Sequence, residues 1–308
     1  MILCCGEALI DMIPAPTDTG RDGFVAHSGG AVFNTAIALG RMGARTGMVT
    51  GLSSDMFGRQ LEAALGASHV DTSHVVFSDR PTTLAFVELT DGHATYSFFD
   101  ENTAGRMLAP ADMPAIADEV SALYFGGISL ACEPGAEAYC ALLEREGAGR
   151  AVMIDPNIRP GFIRDEARYR ARLDGMIAQS DILKVSDEDL NWIIPTPVSL
   201  QDKVRIMLGK GPSLIILTRG SKGATGYMVG GAEVWVPARP VTIVDTVGAG
   251  DTFNAGVLAK LSELGVLTKS ALAVLSEGDL REALIHGTRV AAVTVSRPGA
   301  NPPWADEI

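Results

Sequence analysis

Six short apolar runs set the strongest limit on what this chain can fold into: MILCC (1–5), TGMVTG (46–51), ALYFGG (122–127), AVMID (151–155), DILKV (181–185) and SLIILT (213–218). Each has the length of a strand. Most are separated by a helix-like segment, such as NTAIALGRMG, DMFGRQLEAALGA, PGAEAYCALLERE or DEARYRARLDGMIAQ. Strands that alternate with helices in this way predict an α/β fold with a mainly parallel sheet covered on both faces. The stretch from about Ser270 to Ser296 again reads as mostly helical, and no repeat or low-complexity linker interrupts the chain. Residues 1–308 therefore read as one domain. A hydrophobic content of 47% is enough to build its core without staples or metals.

Two regions break the alternation. TTLAFVELTDGHATYSFFD (82–100) carries two strand-like runs around Asp91-Gly92, a strong hairpin signal, and residues 9–30 also read as strand, turn, strand. Together they predict a small antiparallel sheet, drawn from about residues 12–27 and 82–100, that projects from the body and covers a cleft. Two ordinary surface hairpins are the alternative.

Charge and cysteine content narrow the function classes. A net charge of −12 argues against nucleic acid or an anionic membrane as partner. No apolar run approaches the roughly 20 residues of a membrane span. The opening MILCCGEALI lacks a basic start and a cleavage site, and Glu7 and Asp11 interrupt it, so it reads as a strand rather than a signal peptide. Cys4, Cys5, Cys132 and Cys140 form neither a CxxC pair nor a ligand cluster, which points to core thiols in a reducing cytosol.

The chemistry concentrates in DTVGAGDTFNAGVLAKL (245–261). Phe253, Val257, Leu261 and Leu264 fall at the spacing of one helix face. Just before them, Gly248, Ala249 and Gly250 have almost no side chains, so the backbone can turn tightly and be approached closely. Unshielded amides at a helix start make an anion site, usually for phosphate. Asp251, a carboxylate beside that anion, is then out of place unless it has work to do. A bound phosphate raises its proton affinity, and phosphoryl transfer asks only for a modest base that takes the acceptor's proton late. An ordinary capping aspartate is the alternative, but a cap needs neither Gly248 nor Gly250. There is no GxxxxGK[ST], and no GxGxxG follows the first strand, so neither a P-loop nor a Rossmann dinucleotide site is encoded.

DTVGAGDTFNAGVL resembles the C-terminal signature of the PfkB, or ribokinase-like, carbohydrate kinases, and GGAVFNTAIALGRMGARTGMVTGLSSDMFG (29–58) resembles their N-terminal signature. The resemblance spans essentially the whole chain. It implies a ribokinase-like three-layer αβα sandwich with a β-sheet lid, Asp251 as catalytic base, and the amides of Gly248, Ala249, Gly250 and Asp251 as the anion hole. It also implies sugar contacts from Asp11, Gly30 and Asn34, with Phe99 and Arg106 near the sugar. TRGSKGA (218–224) is similar to the family's nucleotide loop and implicates Thr218, Gly220 and Gly223 in binding ATP. DPNIRP (155–160) resembles a DxNxR element and offers Arg159 to neutralise phosphate charge, while Lys184 resembles a lysine that meets nucleotide phosphates. Ser186 and Asp189 stand where the family's NxxE element has Asn and Glu, with a water-mediated link from Asp189 to Mg²⁺ as the implied role. Mg²⁺ itself would be held mainly by ATP phosphates. K⁺ would sit on backbone carbonyls near Asp245, Thr246 and residues 296–301.

The lid segment YSFFDENTAGRML resembles fructokinase-like members and places Asp100 and Glu101 where relatives acting on 2-keto-3-deoxygluconate tend to carry an arginine. Two acids would repel a sugar acid and spare a neutral ketose, so fructose, phosphorylated at O6, is the implied acceptor. Exposed lid edges imply a route to a homodimer. The rivals are a ketodeoxygluconate, ribose or nucleoside kinase of the same family, and a non-catalytic sugar or nucleotide sensor on the same fold.

Overall fold

The computed structural model describes residues 1–90 and 93–308; the Asp91-Gly92 turn lies outside the described residues. All six apolar runs are strands of one nine-stranded sheet. Its order is Glu233–Val236, Ala224–Met228, Leu214–Thr218, Ile182–Ser186, Ala151–Asp155, Ala122–Gly126, Ile2–Cys5, Thr46–Val49 and Val70–Asp71. Every pairing in it is parallel except the two made by Ala224–Met228, which returns antiparallel beside Leu214–Thr218 and then pairs with Glu233–Val236.

Strand alternation divides the core. Ile2 and Cys4 pack with one group of helices, and Leu3 and Cys5 with another. On the first face lie Ala31–Arg41, Met56–Ala67, Ala249–Glu263 and Glu277–Val295, and on the second Gly135–Glu146, Glu166–Ile177, Asp187–Ile193 and Leu200–Leu208. This is the three-layer αβα sandwich. No helix among the described residues is long and apolar enough to cross a membrane.

The helix Ala249–Glu263 corrects one expectation. Its spacing predicted a single buried face, yet Asp251 to Leu258 are all buried without a break. The helix sits between Ala31–Arg41 and Glu277–Val295, close enough that a Cβ on Gly256 would come within 2.8 Å of Gly287 Cα. Two facing glycines let the backbones meet, so even Thr252 and Asn254 are enclosed by protein.

The two hairpins join as a second sheet in the order Asp22–Gly29, Leu9–Pro16, Leu84–Thr90, His93–Phe99. It is mixed rather than antiparallel: Ile10, Asp11 and Met12 pair in parallel with Leu84, Ala85 and Phe86. Both central strands run in the same direction, so when the hairpins meet through those strands their contact must be parallel.

Candidate active site

The late helix starts at a backbone position that only glycine occupies without strain. Gly248 is the N-cap with φ 76° and ψ 1°, in the left-handed region, and no side chain caps the helix. A Cβ at Gly248 would lie 2.7 Å from Ala300 Cβ, because the segment after Glu277–Val295 passes directly over the turn. Asp245 ties the two stretches together: Oδ1 accepts from Val247 N at 3.0 Å and Oδ2 from Gly299 N at 2.9 Å. Within the turn the Ala249 N–H is drawn to Thr246 O at 3.3 Å. First-turn amides have no partners inside their own helix. We expect Gly248→Ala to lower kcat by about 10- to 100-fold with little change in sugar affinity, since displacing a reaction centre by about 1 Å has that order of effect. Steady-state kinetics beside a sugar-binding titration would check it.

Two clefts converge on this turn. One, of about 770 Å³, is lined by Glu7, Asp11, Gly30, Asn34, Phe98, Asp100, Glu101, Arg106, Arg159, Arg164 and Asp251, among others. The other, of about 530 Å³, is lined by Thr218, Gly220, Gly223, Val241, Ile243 and Phe253, together with small residues of Glu277–Val295. Both include Thr246, Ala249 and Gly250 in their walls. The first is ringed by charged and hydrogen-bonding groups. The second is mostly apolar, and its glycine turn is dictated by the edge hairpin: Gly220 and Gly223 have φ of 52° and 85°.

Asp251 is only 7% exposed, but it reaches the wall of the polar cleft. Its Oδ2 accepts from Asn34 Nδ2 at 2.9 Å, and its carbonyl accepts from Thr35 Oγ1 at 3.1 Å. Because the N-cap is Gly248, the capping alternative for Asp251 falls. Burial pushes its carboxyl up to about 7, against the opposing hydrogen bond from Asn34, and the neighbouring Asp155 charge adds to the rise. Asn34, expected to meet a sugar, thus orients the acid, and it also lines the cleft. Asp11 lines the same cleft, and burial raises its carboxyl to about 6. Gly29 leaves the space it needs, since a Cβ there would collide with the Asp11 carboxylate.

Glu7 is the residue that sequence reasoning missed, having read it only as an interruption of the first apolar run. It lines the cleft, and its carboxylate accepts from Ala31 N at 3.0 Å and Ser129 N at 3.2 Å. Gly30, the N-cap of Ala31–Arg41, supplies no side chain, so Glu7 caps that helix from outside. Burial raises its pKa despite these hydrogen bonds.

Three expectations need correction. Phe99 is 58% exposed, packs edge-on against Phe86 and does not line the cleft. Its neighbour Phe98 does, against Phe162 at 4.3 Å between ring centroids, because adjacent strand residues point to opposite faces. Asp189 does not line either cleft. Its oxygens accept from Ile158 N at 2.9 Å, Ser186 Oγ at 2.7 Å and Ser186 N at 3.1 Å, so it closes a capping box and anchors the loop that carries Arg159. Asp100 and Glu101 are not two bare acids: Asp100 is paired with Arg106 at 2.5 Å and Glu101 with Arg164 at 3.4 Å. The repulsion argument against a sugar acid therefore loses its force. Arg106 reaches the cleft wall with its guanidinium committed to Asp100 and Glu133 O.

Lys184, expected to meet nucleotide phosphates, is 5% exposed and lines neither cleft. Its Nζ donates to Asp155 Oδ2 at 2.8 Å and lies 3.4 Å from where a Cβ on Gly250 would be, directly under the glycine turn. Burial alone would lower its pKa, but the Asp155 carboxylate outweighs that and raises it.

The chain is 51% identical over 285 residues to a fructokinase of Rhizobium leguminosarum bv. trifolii, covering 91% of this chain and 86% of that one. It is 32% identical over 264 residues to a fructokinase of Klebsiella pneumoniae, covering 85% and 84%. Among solved structures, a Xylella fastidiosa fructokinase with bound ATP superposes with a TM-score of 0.86 at 28% identity, covering 97% of this chain and 93% of that one. An aminoimidazole riboside kinase of Salmonella enterica superposes almost as well, with a TM-score of 0.83 at 25% identity over 99% and 97%. The fold alone thus does not choose the acceptor. A profile described as "pfkB family carbohydrate kinase" matches residues 1–307, and the chain belongs to that family of sugar kinases.

Proposed function

We propose that this enzyme transfers the γ-phosphoryl group of ATP to a terminal hydroxyl of fructose, O6, giving fructose 6-phosphate. The observation that carries the reading is the convergence of a polar cleft and a mostly apolar cleft on Thr246, Ala249 and Gly250, with Asp251 alongside. The polar cleft suits a polyol, whose hydroxyls pair with Asp11, Asn34 and Glu7. The apolar cleft beside Thr218, Gly220 and Gly223 suits a nucleoside, with the phosphates running to the helix start. There Asp251 takes the hydroxyl proton as the oxygen bonds to phosphorus, while the first-turn amides, Lys184 and Arg159 meet the charge on the migrating group. Mg²⁺ would arrive with ATP and be held by its phosphates. The sheet of the two hairpins serves as the lid that excludes water during transfer. Its exposed Phe24 and Phe99 suit pairing with a second copy. Asp245 and Gly299, hydrogen-bonded side by side, bring together the two backbone stretches expected to hold K⁺. Free thiols at all four cysteines suit a reducing cytosol, where ATP is made.

Fructose is favoured over a sugar acid or a nucleoside by the 51% identity to a fructokinase, and no longer by charge repulsion at Asp100 and Glu101. Initial rates of ADP release on fructose, 2-keto-3-deoxygluconate, ribose and a nucleoside test this. We expect kcat/KM for fructose to exceed the others by at least about 10-fold, the order that a few differential hydrogen bonds supply. Faster turnover of the sugar acid or the nucleoside would move the assignment to that substrate.

A further inference from the structure

We infer that Arg41, which touches neither cleft, is a positioning residue for phosphoryl transfer: it straps the C-terminal segment over the Gly248 turn and so fixes the anion-binding amides. The inference rests on the proposed transfer at that turn. Arg41 ends the helix Ala31–Arg41, whose first turn holds Gly30 and Asn34 in the sugar cleft. At about 1.5 Å per residue, its Cα lies roughly 15 Å from that end, so it cannot reach the sugar.

What it reaches is the tail. Nη1 donates to Asn301 Oδ1 at 2.9 Å and to Pro302 O at 2.8 Å, Nε donates to Ser68 Oγ at 3.3 Å, and the guanidinium stands 5.3 Å from the centroid of the Trp304 ring. Trp304 also meets His69 edge-on, at 5.8 Å between centroids, and its backbone N–H donates to Glu307 Oε2 at 2.7 Å. Immediately before Asn301, Ala300 covers Gly248 and Gly299 N donates to Asp245 Oδ2. The stretch from Gly299 to Pro302 is therefore pinned twice, by Asp245 at the catalytic turn and by Arg41 beyond it. Gly248 has no side chain with which to hold its own left-handed conformation. Ala300 lies against it, and Arg41 keeps Ala300 there. A guanidinium suits this task because its planar fork serves two acceptors and stacks on an aromatic face together, which an ammonium does not.

The test uses Arg41→Ala, Arg41→Lys and Asn301→Ala in the full chain. For Arg41→Ala we expect kcat per folded molecule to fall by about 10-fold, with the dissociation constant for sugar within about 2-fold of wild type, because misplacing the transfer site by less than 1 Å has that order of effect. Asn301→Ala is expected to show a loss of the same kind, and the double variant to lose less than the product of the two, since both cut one strap. Arg41→Lys should recover only part of the rate. Independently of turnover, amide exchange at Val247 and Gly299 should speed up in Arg41→Ala. If folded Arg41→Ala and Asn301→Ala keep wild-type kcat and exchange at Val247 and Gly299 is unchanged, the strap has no part in positioning. A wild-type enzyme that phosphorylates no sugar, with exchange still accelerated in the variant, would instead overturn the transfer reading and leave the strap standing.

Discussion

Asp251→Asn is expected to lower kcat by at least about 100-fold while leaving sugar affinity within a few-fold, the size of effect that losing a general base has. The substitution suits the site because asparagine fills the same volume and its carbonyl can still accept from Asn34 Nδ2, which now stands 2.9 Å from Oδ2. With the carboxyl raised to about 7 by burial, kcat/KM of the wild type should fall as pH drops through that value, since only the ionised form accepts a proton. The residual activity of the variant should lack this acidic limb.

The same shift gives a second readout that needs no substrate. The ordinary pKa of the group is 3.8, and the folded protein raises it, so folding favours the protonated form. Well below pH 3.8 the acid is protonated in both the folded and unfolded states and costs nothing. As pH rises from about 4 to about 7, the unfolded state ionises first and folding loses stability, after which the penalty is constant. Asp251→Asn should therefore be more stable than wild type by about 1–3 kcal/mol at pH 8, and close to it at pH 4. Chemical denaturation at the two pH values would read this directly. A variant that is slow at pH 8 and no more stable there would mean that Asp251 is not held against its charge.

How far the site was legible in the sequence depends on the range of the interactions that make it. The glycine turn at the helix start was legible because its cause is local: three small residues in a row, with an acid in the first turn. The parallel sheet was legible because each strand is apolar on both faces. Glu7 was not, because Ala31 and Ser129, which hold its carboxylate, lie 24 and 122 residues away, and a lone acid after an apolar run looks like an interruption. Phe98 and Phe99 differ only in strand parity. The register that opposes Leu84 to Phe99 and Ala85 to Phe98 settles which one faces the cleft, and no local pattern encodes it. Asp189 had a legible signal, since Ser186 three residues ahead makes a capping-box spacing, and a resemblance to a metal-linked element was weighed above it. Asp100 and Glu101 were read as bare charges because the arginines that pair with them come from elsewhere in the chain: Arg106 from beyond a turn, and Arg164 from a different loop.

Lys184→Met should be the most destabilising single change at this site, by about 3–5 kcal/mol, because it strips the cation from a buried pair and strands the Asp155 charge. The two side chains are 6% and 1% exposed, and the Asp155 oxygen that takes the ammonium at 2.8 Å also takes Asn254 Nδ2 at 2.7 Å. The donors that remain, Asn254 Nδ2 and the Asn157 amide, are neutral, so they cannot replace the lost charge. The lysine's folded pKa is raised above its ordinary 10.5, which means its contribution is fully present at and below neutral pH and is lost only as pH climbs through the folded value; the loss in the variant should be flat from pH 6 to pH 9. Adding Asp155→Asn to Lys184→Met removes the stranded charge and should restore a good part of the stability. On the proposed transfer at this turn it should not restore the rate, because the ammonium that lies under Gly250 would still be missing. Urea denaturation of the two variants, beside their kcat values, separates the roles: stability recovered without turnover makes Lys184 part of the chemistry, whereas recovery of both would reduce it to a counter-ion for Asp155.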